Sequence, residues 1–269
     1  MDRKDIMKSL FNIDGKGLEI GASYNPLLRK SDGYNVEIAD YTSRDNLIKA
    51  HPAHREVIEE VDYITNGGRI VDVISDRQCF DYIIASHVIE HSTDLLGFLK
   101  DCQDLLREDG VLVLAVPDKR HCFDVFQSIS STGEILQAHL ERRRTHPPGK
   151  HFDHGAYATA RVGHIVWPLG CTEEPKFVHT LAEAMSSFRR AAESTEYFDC
   201  HAWRFTPSSF RLIVNDLHEI GEIQLKEASF IDSIGPEFFV SLSRSGTGCG
   251  VDRMTLTKRT VEEISYIKV

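Results

Sequence analysis

A chain of 269 residues, 41% apolar and 27% charged, can bury one large core and still carry a smaller appended segment. A formal net charge of -10 argues against a partner held by phosphate contacts. No nucleic acid is therefore expected, although Arg142-Arg143-Arg144 makes a local basic patch. The six cysteines form no CxxC pair, no run reaches the roughly 20 apolar residues of a membrane span, and Met1–Asp5 has no apolar stretch behind it. The expectation is a soluble, reduced, cytoplasmic protein.

The elements follow in chain order. Lys4–Phe11 predicts a short amphipathic helix, and Gly17–Gly21 a buried strand running into a glycine turn. Val36–Asp40 is a second strand ending in an acid, followed by a helix over Asn46–Glu60 and a third strand at Val61–Ile64. Phe80–Ser86 is the clearest strand. Thr93–Leu106 is a helix by the spacing of Leu95, Leu96, Leu99, Cys102 and Leu106, closed by Glu108-Asp109-Gly110. Val111–Val116 is the fifth strand, stopped by Pro117. This alternation implies a parallel sheet with right-handed crossovers.

The alternation fails after Asp124. Residues 125–200 read as an insertion or lid, with helical patches at Gly133–Arg144 and Leu181–Glu193. Thr206 could cap a helix starting at Pro207, and Ile223–Ile231 with Glu237–Ser243 predicts a closing hairpin. The division is a core over 1–124, a lid over 125–200, the last helix and strands over 201–245, and a tail over 246–269 read as a loose strand or mobile end.

In an open α/β sheet, ligands bind beyond the carboxyl ends of the strands, where strand order reverses. Gly21 permits close backbone approach there, and Asp40, nineteen residues on, can accept both ribose hydroxyls of an adenosine. Gly21 is followed by Ala22, Ser23, Tyr24, Asn25 and Pro26, so the later glycines of a pyrophosphate-binding turn are missing. That counts against an NAD-dependent oxidoreductase.

Phe80-Asp81-Tyr82-Ile83-Ile84-Ala85-Ser86-His87-Val88-Ile89-Glu90-His91 and Leu105–Leu112 resemble two motifs of class I S-adenosylmethionine-dependent methyltransferases. With Glu19-Ile20-Gly21 and Asp40 the resemblance covers residues 15 to 120. It implies an α/β fold: a doubly wound, mostly parallel seven-stranded Rossmann-like sheet with a C-terminal antiparallel hairpin and a helical lid insertion. It also implies S-adenosylmethionine as cofactor. Glu19, Gly21, Ala22 and Asp40 would bind it, Asn66 and Gly67 would approach the adenine, and Ser86 and His87 would border the methyl group. Tyr41 would cover the adenosine or stand as a surface aromatic.

Val116–Asp124 and His201–Pro207 resemble a bacterial methyltransferase subgroup associated with surface-polysaccharide and glycan biosynthesis. Strand-end loops face the transferred methyl, so Asp118, Lys119, Arg120 and Asp124 form a charged cluster near an acceptor. Asp118, Asp124, His154 and His201 are the candidate proton acceptors, and Lys119 and Arg120 the candidate anchors for an acceptor anion. The same charges could instead form an ion-pair network tying the lid to the sheet. Trp203 would be a sugar platform or a core residue, and His91 a stabiliser of its turn.

His151, Asp153 and His154, with a distant His201, lack zinc-like spacing, so no metal ligands are assigned. The expected function is O-methylation of a small-molecule or glycan-linked acceptor, with N-methylation a weaker option. A homodimer is compatible with it. The other readings are a non-catalytic cofactor-binding regulatory or scaffold subunit and a metal-dependent O-methyltransferase.

Overall fold

A computed structural model describes residues 2–265. Its nine strands are β1 (Gly17–Ile20), β2 (Val36–Asp40), β3 (Tyr63–Ile64), β4 (Phe80–Ser86), β5 (Leu106–Pro117), β6 (Thr159–Ala160), β7 (Lys176–Phe177), β8 (Lys226–Ile234) and β9 (Glu237–Ser243). Seven form one sheet in the order β3-β2-β1-β4-β5-β9-β8. The first five pair in parallel, while β9 runs antiparallel to both β5 and β8. Strand order reverses between β1 and β4, which opens a crevice at their carboxyl ends.

Among the described residues the α-helices are α1 (Arg3–Lys8), α2 (Arg44–Ala50), α3 (Leu95–Leu105), α4 (Thr132–Leu140), α5 (Pro148–Tyr157), α6 (Leu181–Ala192), α7 (Pro207–Glu219) and α8 (Arg253–Ser265). Alternate side chains of β4 feed two cores, one on each face of the sheet. Ile83 and Ala85 join Leu99, Trp203 and Phe210, whereas Tyr82 and Ile84 join Met7, Leu28 and Ile38. The doubly wound sheet and its C-terminal hairpin match the sequence expectation.

Local chemistry sets the helix ends. Asp94 caps α3 by accepting from the Gly97 N–H at 2.8 Å. Pro207 opens α7, with Thr206 at the N-cap donating its N–H to Ser209 Oγ at 2.8 Å.

Four expectations are corrected. Helix α2 stops at Ala50 rather than Glu60, because Pro52 forces His51 out of the helical region. Strand β5 begins at Leu106, and Glu108-Asp109-Gly110 lies in an irregularity of that strand, where Phe80 faces Leu106 and Tyr82 faces Val111. The lid holds a helix the periodicity missed, α5, which packs on α6 where Gly155 meets Ala184. The tail is no loose end through Ser265: α8 packs on α7, burying Leu256 and Thr260, and Glu263 accepts from Ser208. Residues 266–269 of that tail lie outside the described part.

Candidate functional site

A cleft of about 1260 Å³ opens at the carboxyl ends of β1, β2 and β4. Gly21 turns the chain there at φ +69, and a Cβ on it would stand 2.6 Å from Val88 Cγ2. Ser23 also takes a left-handed φ of 44, so the turn keeps a glycine-like course without its second glycine. The Ser23 N–H donates to Asp40 Oδ2 at 3.2 Å, and the Tyr41 N–H to Asp40 Oδ1 at 2.7 Å. Each carboxylate oxygen therefore keeps accepting capacity toward the cleft. Burial pushes the Asp40 carboxyl up from its ordinary range.

Glu19, also in the wall, accepts from the Leu27 and Leu28 N–H groups at 2.7 and 3.1 Å and so fixes the loop after the turn. Burial pushes its carboxyl up to about 7, against the lowering effect of those two N–H groups. The sign of the consequence follows. Between the ordinary carboxylate range and about 7 the folded chain holds a proton that the unfolded chain has lost, so stability falls as pH rises through that window. A cation bound beside Glu19 favours the carboxylate and must expel that proton. Affinity for a cationic ligand is expected to rise roughly three- to tenfold per pH unit from 5 to 7 and then level off. Titration at several pH values checks this, and Glu19→Gln should flatten the profile.

The rest of the wall is mixed. Tyr41 stands in it, 55% exposed, so both readings of that ring stay compatible with its position. Ala22 and Gly67 line it as well, and a Cβ on Gly67 would lie 2.9 Å from the Tyr197 ring. Asn66 is not part of the wall; Thr65 and Gly68 are. Ser86 and His87 line it too, with His87 at a left-handed φ of 55. The lid contributes chiefly Arg142–Arg144 and Tyr197–Asp199, while α5 and α6 stand apart.

Sequence reasoning missed Arg3 and Glu237. Arg3 reaches Ser86 Oγ, and its Nε donates to Glu237 Oε1 at 2.6 Å. Glu237 also takes His87 Nε2 at 2.8 Å. The signal was weak because Arg3 precedes the first recognisable motif and Glu237 opens a plain hairpin strand.

The charged block after β5 is turned inward. Asp118 is buried, accepting from Arg120 Nε at 2.9 Å and Ser233 Oγ at 2.6 Å. Lys119 is buried with its ammonium donating to the Val125 carbonyl at 2.7 Å, and burial lowers its pKa. Neither residue, nor Arg120, lines the cleft. This corrects the placement of Asp118, Lys119 and Arg120 beside an acceptor: Asp118 and Arg120 pair with each other, and Lys119 is held by a backbone carbonyl. Of its two readings Trp203 takes the core one: at 1% exposure it presents no face to a sugar, and its Nε1 donates to the Ser92 carbonyl at 2.6 Å.

Asp124, His154 and His201 do come together. His201 Nδ1 lies 2.5 Å from Asp124 Oδ2, and His154 Nδ1 accepts from the His201 N–H at 3.3 Å. Burial pushes His154 down to about 4, leaving it neutral near pH 7. The group sits behind the wall, reached through His91, whose ring meets that of His201 at 4.6 Å. His91 Nδ1 is held by Asp199 at 2.8 Å.

A methyltransferase-domain family model matches residues 5–161. The ubiquinone biosynthesis O-methyltransferase of Rhodopseudomonas palustris strain TIE-1 is 41% identical over 46 residues, 17% of this chain and 18% of that protein. Its counterpart from strain HaA2 is 42% identical over 45 residues, again 17% and 18%. The matched stretch is thus a small part of the curated relatives' length. A structure from Rhodobacter sphaeroides, described as a zinc-dependent alcohol dehydrogenase, aligns at 16% identity over 91% of this chain and 90% of its own, with a TM-score of 0.49. An S-adenosylmethionine-dependent methyltransferase structure from Thermotoga maritima aligns at 14% identity over 90% and 87%, with a TM-score of 0.38. With a family match reaching from α1 to the lid, over more than half of its length, this chain belongs to the methyltransferase-domain family.

Proposed function

We propose that this chain transfers the methyl group of S-adenosylmethionine to a hydroxyl of a small-molecule acceptor. The observation that carries the reading is the Gly21–Ser23 turn, with its left-handed backbone, facing the Asp40 carboxylate across the switch-point cleft. A Cβ at Gly21 would close the approach, and Asp40 has lone pairs left for two ribose hydroxyls. The turn after Ser23 carries Tyr24, Asn25 and Pro26 where a pyrophosphate would want glycine, so the fit is to an adenosine without phosphates.

When bound, S-adenosylmethionine supplies a methyl carbon activated by a sulfonium. The chain's own part is mainly positioning. Glu19 offers negative charge to the donor's amino-acid end, and Asp40 anchors its sugar. Ser86 and His87 hold the wall at the end of β4, braced by Arg3 and Glu237. Arg142, Arg143 and Arg144 along the cleft favour an acceptor bearing a carboxylate or phosphate. The ubiquinone biosynthesis O-methyltransferases that match a short stretch of this chain favour oxygen over nitrogen as the acceptor atom. A glycan-linked acceptor rests on the block after β5, whose Asp118, Lys119 and Asp124 side chains are buried and whose Arg120 pairs with Asp118, so a free small molecule is the better-supported form.

Calorimetric titration with S-adenosylmethionine, S-adenosylhomocysteine and NAD tests the donor. Micromolar binding of the first two and none of NAD is expected; binding of NAD alone would sink the reading. A non-catalytic binding subunit would take up the donor yet show no turnover on any panel of hydroxylated acids.

A further inference from the structure

We propose that Glu90, His91 and His201 form a binding site for one divalent transition-metal ion at the inner wall of the cleft. Glu90 is buried, and neither carboxylate oxygen has a hydrogen-bond partner among the described residues. A buried, unpartnered carboxylate is costly unless a cation meets it. Three imidazoles surround its Oε1: His87 Nδ1 at 3.6 Å, His91 Nε2 at 3.7 Å and His201 Nε2 at 4.0 Å.

The tautomers follow from the far side of each ring. His91 Nδ1 meets Asp199 at 2.8 Å, His201 Nδ1 meets Asp124 at 2.5 Å, and His87 Nε2 meets Glu237 at 2.8 Å. Each of those nitrogens donates to its carboxylate, so in the neutral imidazole the lone pair falls on the nitrogen that faces Glu90. Acceptors then confront acceptors, with no side-chain or backbone donor to Glu90 among the described residues. A metal ion resolves that arrangement, and a carboxylate on the outer nitrogen of each ring is the usual support of a histidine ligand.

The dimensions agree. Ligand atoms about 2.1 Å from a tetrahedral ion lie about 3.4 Å apart. One atom each from Glu90, His91 and His201 already lie within 4.8 Å of one another, so movements of a few tenths of an ångström to about one ångström close them on an ion. The backbone builds the site: the Ala202 and Trp203 N–H groups donate to the Glu90 carbonyl at 2.8 and 3.2 Å, pinning the 201–203 segment to the turn at 89–91.

Two imidazoles with one carboxylate suit zinc, iron or cobalt rather than magnesium or calcium, which prefer oxygen. His91 lines the cleft, so an open coordination position there would meet an acceptor. This role, unlike the binding itself, rests on the methyltransferase reading. The ion would acidify an acceptor hydroxyl; its proton passes to water, the new O–C bond forms as the C–S bond breaks, and S-adenosylhomocysteine leaves.

The 269-residue chain, stripped with a chelator, is titrated with Zn²⁺, Co²⁺ and Mg²⁺, and bound metal is counted. One equivalent of Zn²⁺ or Co²⁺ per chain is expected, with a visible Co²⁺ d–d band and no competition from Mg²⁺. Glu90→Gln and His201→Gln should each weaken binding by at least about a hundredfold with the circular dichroism spectrum preserved. Asp40→Ala should lose S-adenosylmethionine and keep the metal, which separates this site from the donor reading. No uptake by the wild-type chain, where misfolding of a variant plays no part, would overturn the site, as would equal uptake by both variants.

Discussion

Replacing Asp40 by alanine is expected to weaken S-adenosylmethionine binding by about a hundredfold or more. Two charge-assisted hydrogen bonds to ribose hydroxyls, at roughly 1.5–3 kcal/mol each, set that scale. The alanine variant also orphans the Ser23 and Tyr41 N–H groups, so part of any loss would come through the turn itself. Asp40→Asn separates the two effects. Its carbonyl oxygen can still accept one of those N–H groups, so Tm should move by only a few degrees while affinity collapses. Wild-type affinity in Asp40→Asn would show that the carboxylate does not hold the donor.

That site was legible because its determinants are local. A four-residue buried strand, a left-handed turn and an acid closing the next strand leave marks in sequence, and β1, β2 and β4 come out close to where apolar runs place them. Ser23 shows the limit even there. A serine in place of the second glycine reads as a departure, yet the backbone keeps the left-handed course.

The chemistry deeper in the wall was not legible. Glu90, His91, Asp124, Asp199, His201 and Glu237 come from four stretches of chain, and only the pairing of β9 with β5 and the docking of the 199–203 segment onto the turn after β4 make them neighbours. Sequence alone left His91 as a turn stabiliser and looked for metal ligands at His151, Asp153 and His154, where the i,i+3 histidines drew attention, with His201 as a distant fourth. The block after β5 failed for the opposite reason. Asp118 and Lys119 sit at a strand end as acceptor-binding residues would, but their direction is decided by Arg120 and the distant Ser233 for the one and by the Val125 carbonyl of the following loop for the other. A charge at a strand end does not reveal in sequence whether it points into a cleft or into its own loop.

Trp203 is where that ambiguity has its largest expected cost. As a core residue, Trp203→Ala should destabilise the fold by about 3–5 kcal/mol, the range for truncating a buried large aromatic. That lowers Tm by roughly 10 °C for a domain of this size. The Trp203 indole is buried, packs in the same core as Phe205 and Phe210, and donates to the Ser92 carbonyl at 2.6 Å. Trp203→Phe retains most of the volume and loses that N–H with the smaller part of the ring, so about 1–2 kcal/mol is expected. A sugar platform predicts the reverse pattern: unchanged Tm in both variants and a raised KM for acceptor in the alanine one. Because the Trp203 backbone also helps pin the 201–203 segment to the Glu90 carbonyl, loosening its ring should reduce metal affinity although the indole is no ligand. A destabilised Trp203→Ala chain whose metal affinity is unchanged would show that the Glu90 turn holds its shape without this anchor.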